Sequence, residues 1–403
     1  MMNKYTLQRI LVAPSGFKES LLAEEVAEAI STGIRRVLPD AHVDALPVPD
    51  GGEGTARTLA TATDGRLVPV WVTGPIGQKI ESHYAVLGGD ASDTAIVEAA
   101  AAAGLSLVPR ESRNPCVTTT YGVGQLIAAA LDNGATRIIV GCGDSATSDG
   151  GAGALQALGA RILDASGMEV PPGGLNLQRA VSLDRSGMHP KLADAEIVLA
   201  CNVKSLLCGE KGASRIFAKQ KGASEEDVEL LSDAMDNWAT ILERDGLPFD
   251  DIRTGPGTGA NGGLGAGLAA GVGAKLVSRF DVFLDSGLYS IDLDAQIAEA
   301  DLVITAEGSI DFQTPNGKVP AEVARRAARA GVPVIALAGS IGQGAASVHE
   351  AGIDAITSIM DVPMPLADAV AHSQRLLINA TEQMMRMILV GVAVATARFD
   401  EDG

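Results

Sequence analysis

The chain has 403 residues, with 31 Lys and Arg against 50 Asp and Glu, a formal charge of −19. That surplus excludes sequence-independent nucleic-acid binding, which needs clustered cations, and it disfavours anionic membrane surfaces. A hydrophobic share of 46% supports a large core, and 3% aromatics with 47 glycines suit an Ala-, Gly- and Val-rich α/β protein.

At ~150 residues per domain the length predicts two or three domains. The first segments alternate. RILVAP (9–14) reads as a buried strand, and Leu22, Val26, Ile30, Ile34 and Val37 form one stripe of a helix over 21–38. HVDALPV (42–48) reads as a second strand, and PDGGEGT (49–55) leads into a helix over roughly 53–62. This order predicts a parallel sheet covered by helices.

The pattern changes after residue 65. RLVPVWVTG (66–74), IESHYAVLG (80–88) and TAIVEAA (94–100) read as three strands of an antiparallel meander. A helix over 119–133, a strand over 135–142, a strand over 196–201 and a long helix over 224–245 follow, with Ser224 as N-cap of the last. Residues 255–273 hold nine glycines, which fit close helix packing better than phosphate binding.

Alternation returns after about residue 286. DLVITAEG (301–308), VPVIALAG (332–339) and AITSIM (355–360) read as strands, separated by helices over 319–330 and 343–352. A last helix spans roughly 366–397. The predicted architecture is α/β: a doubly wound Rossmann-like domain built from both chain ends (1–65 plus 287–403), with a second α/β domain (66–286) inserted. The assignment of 119–160 to one or the other stays open.

The longest apolar stretch near the C-terminus, Met387 to Ala397, is shorter than the ~20 residues a bilayer needs, and the polar start does not read as a secretory signal. Cys116, Cys142, Cys201 and Cys208 lack metal-like spacing; Cys142 and Cys201 end apolar runs and read as buried thiols. A cytoplasmic location without membrane or nucleic-acid partners is expected. The oligomeric state stays open.

Ligands of open α/β sheets bind at the carboxyl ends of strands. Four acid- or lysine-bearing turns fall at such ends: SGFKES (15–20), Asp50 to Thr55, Gly143 to Gly151, and Glu307 to Thr314, with Lys318 a little further on. Glycine lets backbone N–H groups approach an anion. Acids would repel a bare phosphate, but Mg²⁺ reconciles them, since it takes one or two carboxylates plus phosphate oxygens. Lys18 and Lys318 are placed to neutralise a transferring phosphoryl group. The combination points to Mg-nucleotide phosphotransfer. Each feature also has a plain reading: a tight turn at Gly51, Gly52 and Gly54, a helix cap at Asp149, solvated acids at Glu307 and Asp311.

Other chemistries fit worse. The chain lacks GxxxxGK[ST], GxSxG and a GxGxxG turn after its first strand, and its five histidines are scattered outside the glycine turns. Zinc and Ser-His-Asp chemistry are therefore not expected.

Six segments carry a resemblance: APSGFKES (13–20), VPDGGEGT (48–55), GCGDSATSDGGAGAL (141–155), FAKQKGAS (217–224), GTGANGGLGAGL (257–268) and ITAEGSIDFQTPNGKVP (304–320). In them, and over about residues 8–390, the chain resembles the bacterial glycerate kinases that stand apart from P-loop and sugar kinases. Departures from that family's usual residues at Ser15, Glu19 and Asn202 leave the resemblance intact. It implies ATP- and Mg²⁺-dependent phosphorylation of D-glycerate, on the 2-hydroxyl rather than the 3-hydroxyl, by two α/β domains.

On that basis Asp311, Asp149 and Lys18 are the catalytic candidates. Ser20, Asp50, Gly51, Gly52, Glu53, Gln313, Thr314 and Lys318 are the substrate-binding candidates. Gly143, Ser145, Thr147, Gly150 and Gly151 are candidates for the nucleotide phosphates, and Glu307 with Asp50 for the metal. Two rivals are a non-catalytic metabolite-binding protein on the same fold and an NAD-dependent dehydrogenase.

Overall fold

A computed structural model describes residues 7–17, 20–288 and 292–399, and among these described residues thirteen strands organise the fold. They are β1 (Arg9–Val12), β2 (His42–Ala45), β3 (Arg66–Thr73), β4 (Lys79–Val86), β5 (Thr94–Glu98), β6 (Arg137–Gly141), β7 (Arg161–Asp164), β8 (Ala180–Asp184), β9 (Glu196–Cys201), β10 (Lys275–Ser278), β11 (Leu302–Ile310), β12 (Val334–Ile341) and β13 (Ala355–Ser358). The chain divides into two units, Met1–Pro49 with Ile291–Gly403, and Asp50–Ser290.

The first unit is a five-stranded sheet in the order β2-β1-β11-β12-β13, with every pair parallel. Val12 lies beside Ile304, so residues from opposite ends of the sequence form the sheet centre. The chain leaves β1 toward β2 on one side and β11 toward β12 on the other. The carboxyl ends of β1 and β11 therefore flank a topological switch point of the kind doubly wound sheets use for ligands. The expected stripe on helix Ala23–Arg35 is real: Val26, Ile30 and Ile34 are fully buried, packed with Ile10, Ile304, Leu376 and Leu377.

The last helical segment is two helices, Leu366–Ala371 and Ser373–Phe399, broken at His372. The second changes the expectation about apolar length. Its Ser373–Ala395 portion is long and apolar enough, by length and composition alone, to cross a bilayer. The stretch noticed in the sequence is only its second half. The first half is more polar in sequence and is packed into the unit through Leu376, Leu377, Met384 and Met385, while Met387, Val390 and Val394 are exposed.

The second unit centres on a six-stranded sheet, β10-β9-β6-β5-β4-β3. The predicted meander is its antiparallel edge, β3-β4-β5, and the remaining pairs are parallel. The strand at 135–142 is β6, in the middle of this sheet, which places it in the second unit. Helix Thr55–Ala62 packs on β3, β4 and β5. For that reason the chain passes between units at residues 49–50, earlier than the position of 65 expected from the change of pattern. The hairpin β7-β8 and the edge strand β10 were not anticipated; all are four or five residues long and carry little periodicity.

Ser224 caps helix Glu225–Asp245 as expected: its Oγ accepts from the backbone N–H of Asp227, whose carboxylate accepts from Ser224 in return. The glycine-rich run at 255–273 also behaves as the packing reading expects. A methyl group at Gly267 would stand 2.4 Å from the carbonyl oxygen of Gly150. Cys142 and Cys201 are buried free thiols, and burial pushes Cys201 up to about 12, which makes it chemically inert.

Candidate functional site

The first unit brings together an acidic turn at the end of β11. Glu307 sits on the strand; Asp311, Gln313 and Thr314 form the turn that follows; Lys318 begins the helix Val319–Ala330. The turn builds itself locally. Asp311 Oδ1 accepts from the backbone N–H of Gln313 at 2.9 Å, and Thr314 Oγ1 accepts from the backbone N–H of Asp311 at 3.0 Å. Lys318 Nζ donates to the Ser309 carbonyl at 2.8 Å and lies 3.3 Å from Asp311 Oδ1 and 3.4 Å from Glu307 Oε1. One ammonium thus faces two carboxylates, all three partly exposed.

Thr314 is fully buried and serves the turn, which removes it from direct contact with a ligand. Ser20 is also engaged, donating its hydroxyl to Ser373 Oγ at 2.7 Å. Lys18 lies outside the described residues.

The second unit brings two of the predicted loops against each other. A methyl group at Gly143 would stand 2.8 Å from the Cα of Gly52, so neither position tolerates a side chain without displacement. Asp50 Oδ1 accepts from the backbone N–H of Gly52 at 2.9 Å. Arg279, a residue the sequence reading missed, donates to the Asp50 carbonyl at 3.0 Å and pairs with its Oδ2 at 3.3 Å. Glu53 is exposed. Asp144 holds φ = +51° on a partly exposed stretch, a strained conformation for a non-glycine residue.

The loop 143–151 divides in two. Gly143, Asp144 and Ser145 are partly exposed, whereas Thr147, Asp149, Gly150 and Gly151 are buried. Gly150 has φ = +63°, and a methyl there would meet the Trp238 indole at 2.4 Å; the indole N–H donates to the Gly150 carbonyl. Packing therefore explains Gly150 and Gly151, and only the first half of the loop is open to solvent.

Asp149 is likewise redirected. Its Oδ2 accepts from Thr120 N at 2.7 Å, Thr120 Oγ1 at 2.9 Å and Gly153 N at 3.3 Å, and its Oδ1 accepts from Gly151 N at 3.2 Å. Burial pushes its pKa up while these bonds pull it down. A wholly enclosed carboxylate with four internal donors is a clamp, not a base that meets substrate.

Glu98 is a second missed acid, ending β5 behind the Asp50–Thr55 loop. It is buried and accepts from the backbone N–H of Ala56 at 2.5 Å. Burial pushes it up to about 7; hydrogen bonds from Ala56 and Gly54 oppose the shift, and the neighbouring charges of Glu53 and Asp50 add to it. Its signal was hidden because TAIVEAA reads as an ordinary strand. A carboxyl raised in the folded state stabilises fully below its ordinary value of 4.5 and loses that contribution as pH rises through about 7. Denaturant midpoints for Glu98→Gln, whose amide oxygen keeps the Ala56 contact, should therefore fall less between pH 5 and pH 8 than the wild type's. The difference expected is about 1–3 kcal/mol, and parallel pH dependences would contradict it.

Comparison with known proteins decides the family. Residues 10–389 match the glycerate kinase family. The chain belongs to it. Among its relatives, a glycerate kinase of Bacillus subtilis is 44% identical over 392 residues, 97% of this chain and 99% of the relative. A glycerate 2-kinase of Escherichia coli K12 is 42% identical over 384 residues, 95% and 99% of the two chains. A solved structure from Salmonella typhimurium LT2, named as a glycerate kinase 2, superposes with a TM-score of 0.72 at 42% identity, covering 96% of this chain and all of that one. Glycerate kinases are phosphotransferases with an alcohol group as acceptor, the reaction class expected from the loops.

Proposed function

We propose that the protein transfers the γ-phosphoryl group of ATP to the 2-hydroxyl of D-glycerate, giving 2-phosphoglycerate and ADP. The observation that carries this reading is the 42% identity, over 95% of the chain, to a relative named glycerate 2-kinase. The local chemistry is suited to it. Phosphoryl transfer is mostly positioning and charge neutralisation, so one carboxylate able to take the hydroxyl proton suffices.

Asp311 is that carboxylate. It is partly exposed, held in one orientation by the Gln313 N–H, and paired with a lysine. The substrate hydroxyl donates to Asp311, its oxygen attacks the γ-phosphorus, and the bond to the β–γ bridging oxygen breaks. Lys318 balances the charge that gathers on the transferring group. Gln313 and the Ser20 segment flank the acceptor in this reading. Taken by itself, the second unit offers Asp50 and Glu53 as polar groups for a ligand, backed by Gly51 and Gly52, and Gly143 to Ser145 receive the nucleotide phosphates.

Among the described residues no group of three or more His, Cys, Asp and Glu forms a protein cage for a metal. Mg²⁺ does not need one, since it keeps several waters and binds through one or two carboxylates plus phosphate. Glu307, a hard oxygen donor beside Asp311 and Lys318, fits that demand in the first unit; Asp50, paired with Arg279, is a separate candidate on the second unit. Bound there, the ion would neutralise phosphate charge.

A coupled assay for ADP with purified protein, Mg²⁺, ATP and D-glycerate should show turnover that depends on all three additions. Phosphorus NMR of the product should show the 2-phosphate. Absence of turnover with retained binding of both ligands would favour a metabolite-binding protein instead, and a 3-phosphate would correct the regiochemistry.

A further inference from the structure

Lys221 ends the KQK segment just before helix Glu225–Asp245, and it is 4% exposed, an unusual depth for an ammonium group. It reaches beneath the loop 143–151. Its Nζ donates to the Thr147 carbonyl at 2.5 Å and to Ser145 Oγ at 3.1 Å. Asp149, the clamp of the same loop, supplies the opposing charge that favours its ammonium form. Desolvation pulls the lysine down to about 8, opposed by Asp149, so burying it here is costly.

The contacts are not scattered. Thr147 is the buried shoulder of the loop, and Ser145 is in its partly exposed half. The hydroxyl groups of Thr147 and Ser148 are buried without a hydrogen-bond partner among the described residues, so side-chain bonds from these two do not hold the loop's shape. Thr118 on the Ala146 carbonyl, Trp238 on the Gly150 carbonyl and Asp149 on its donors hold the buried half, while Lys221 reaches the Ser145 hydroxyl and the Thr147 carbonyl, where the loop turns toward its partly exposed half.

We propose that Lys221 is a positioning residue for nucleotide: it fixes Ser145 and the Thr147 peptide so that the exposed half of the loop meets the phosphates in one geometry, with a buried positive charge behind it. The inference rests on the reading that Gly143 to Ser145 receive the nucleotide phosphates. It adds that the affinity for the triphosphate, and not for nucleoside or glycerate, is set from beneath the loop.

The test uses the full chain. Calorimetric titration of Lys221→Met with ATP in Mg²⁺ should show binding weakened about tenfold or more, the loss expected for charge-assisted hydrogen bonds. Adenosine affinity and the KM for glycerate should stay within about twofold, and Lys221→Arg should recover most of the ATP affinity. Wild-type ATP affinity in Lys221→Met overturns the proposal. So does a parallel loss of ATP, adenosine and glycerate, which marks a purely structural lysine.

Ser145→Asp separates this inference from the reading beneath it. If the loop receives phosphates, the added negative charge weakens ATP whatever Lys221 does; if ATP binds Ser145→Asp normally, the loop reading itself falls and Lys221 with it. Should Lys221→Met not fold, Ser145→Ala removes the hydroxyl contact alone. It should weaken ATP about threefold, and unchanged affinity there also overturns the proposal.

Discussion

Asp311→Asn should lower kcat by about 10²- to 10⁴-fold, the usual worth of a positioned general base. The fold should survive, because the amide oxygen of Asn can still accept the Gln313 N–H that orients the side chain. What is lost is the negative charge that takes the hydroxyl proton and pairs with Lys318 at 3.3 Å. The KM for ATP should change little, since the loss falls on the transition state rather than on nucleotide binding. Steady-state kinetics with the coupled ADP assay measures both constants, and circular dichroism checks the fold. A kcat close to wild type would remove Asp311 from the proton transfer and leave Glu307 as the remaining acid of that cluster.

The second large effect is on stability. Asp149→Ala removes an acceptor shared by Thr120 N, Thr120 Oγ1, Gly151 N and Gly153 N, in a place without solvent to replace it. Unsatisfied buried donors cost about 1–3 kcal/mol each, partly relieved by relaxation, so a total of about 4 kcal/mol is expected. At ~2–4 °C per kcal/mol for a unit of this size, the melting transition should drop by roughly 10 °C. Asp149→Asn should fall by less, because one oxygen still accepts. If Asp149→Ala melts like the wild type while losing all turnover, the clamp role is wrong and a direct catalytic role returns. Scanning calorimetry with parallel kinetics distinguishes the two.

The different fates of Asp149 and Asp311 show what kind of information each level holds. Both are acids in glycine-bearing turns at strand ends, and nothing in their immediate sequence separates them. Asp311 is followed by Phe312, Gln313 and Thr314, which close a local turn and leave the carboxylate partly exposed. Asp149 is met by Thr120, from 29 positions earlier, and is enclosed. Glu98 and Lys221 escaped notice for the same reason. Neither residue's own segment, TAIVEAA for Glu98 or the family-bearing FAKQKGAS for Lys221, shows the environment it meets, which comes from elsewhere in the chain: Ala56 for Glu98, Thr147 for Lys221.

Much else was written locally. The stripe of Val26, Ile30 and Ile34, the capping pair Ser224 and Asp227, the apolar runs of β1, β6, β9, β11 and β12, and the loops that carry the family all depend on residues a few positions apart. Periodicity, capping and turn chemistry act over that range, so the α/β class, the family and the phosphotransfer chemistry could be read from the amino acids in order. Which strand lies beside which, which end of each loop faces solvent, and which acids are spent on the protein's own backbone donors depend on contacts between positions tens to hundreds apart. Val12 beside Ile304 and Arg279 on Asp50 are of that kind. Burial and hydrogen-bond saturation are properties of those long-range contacts, so only the tertiary structure could decide which carboxylate is open to solvent and which is enclosed.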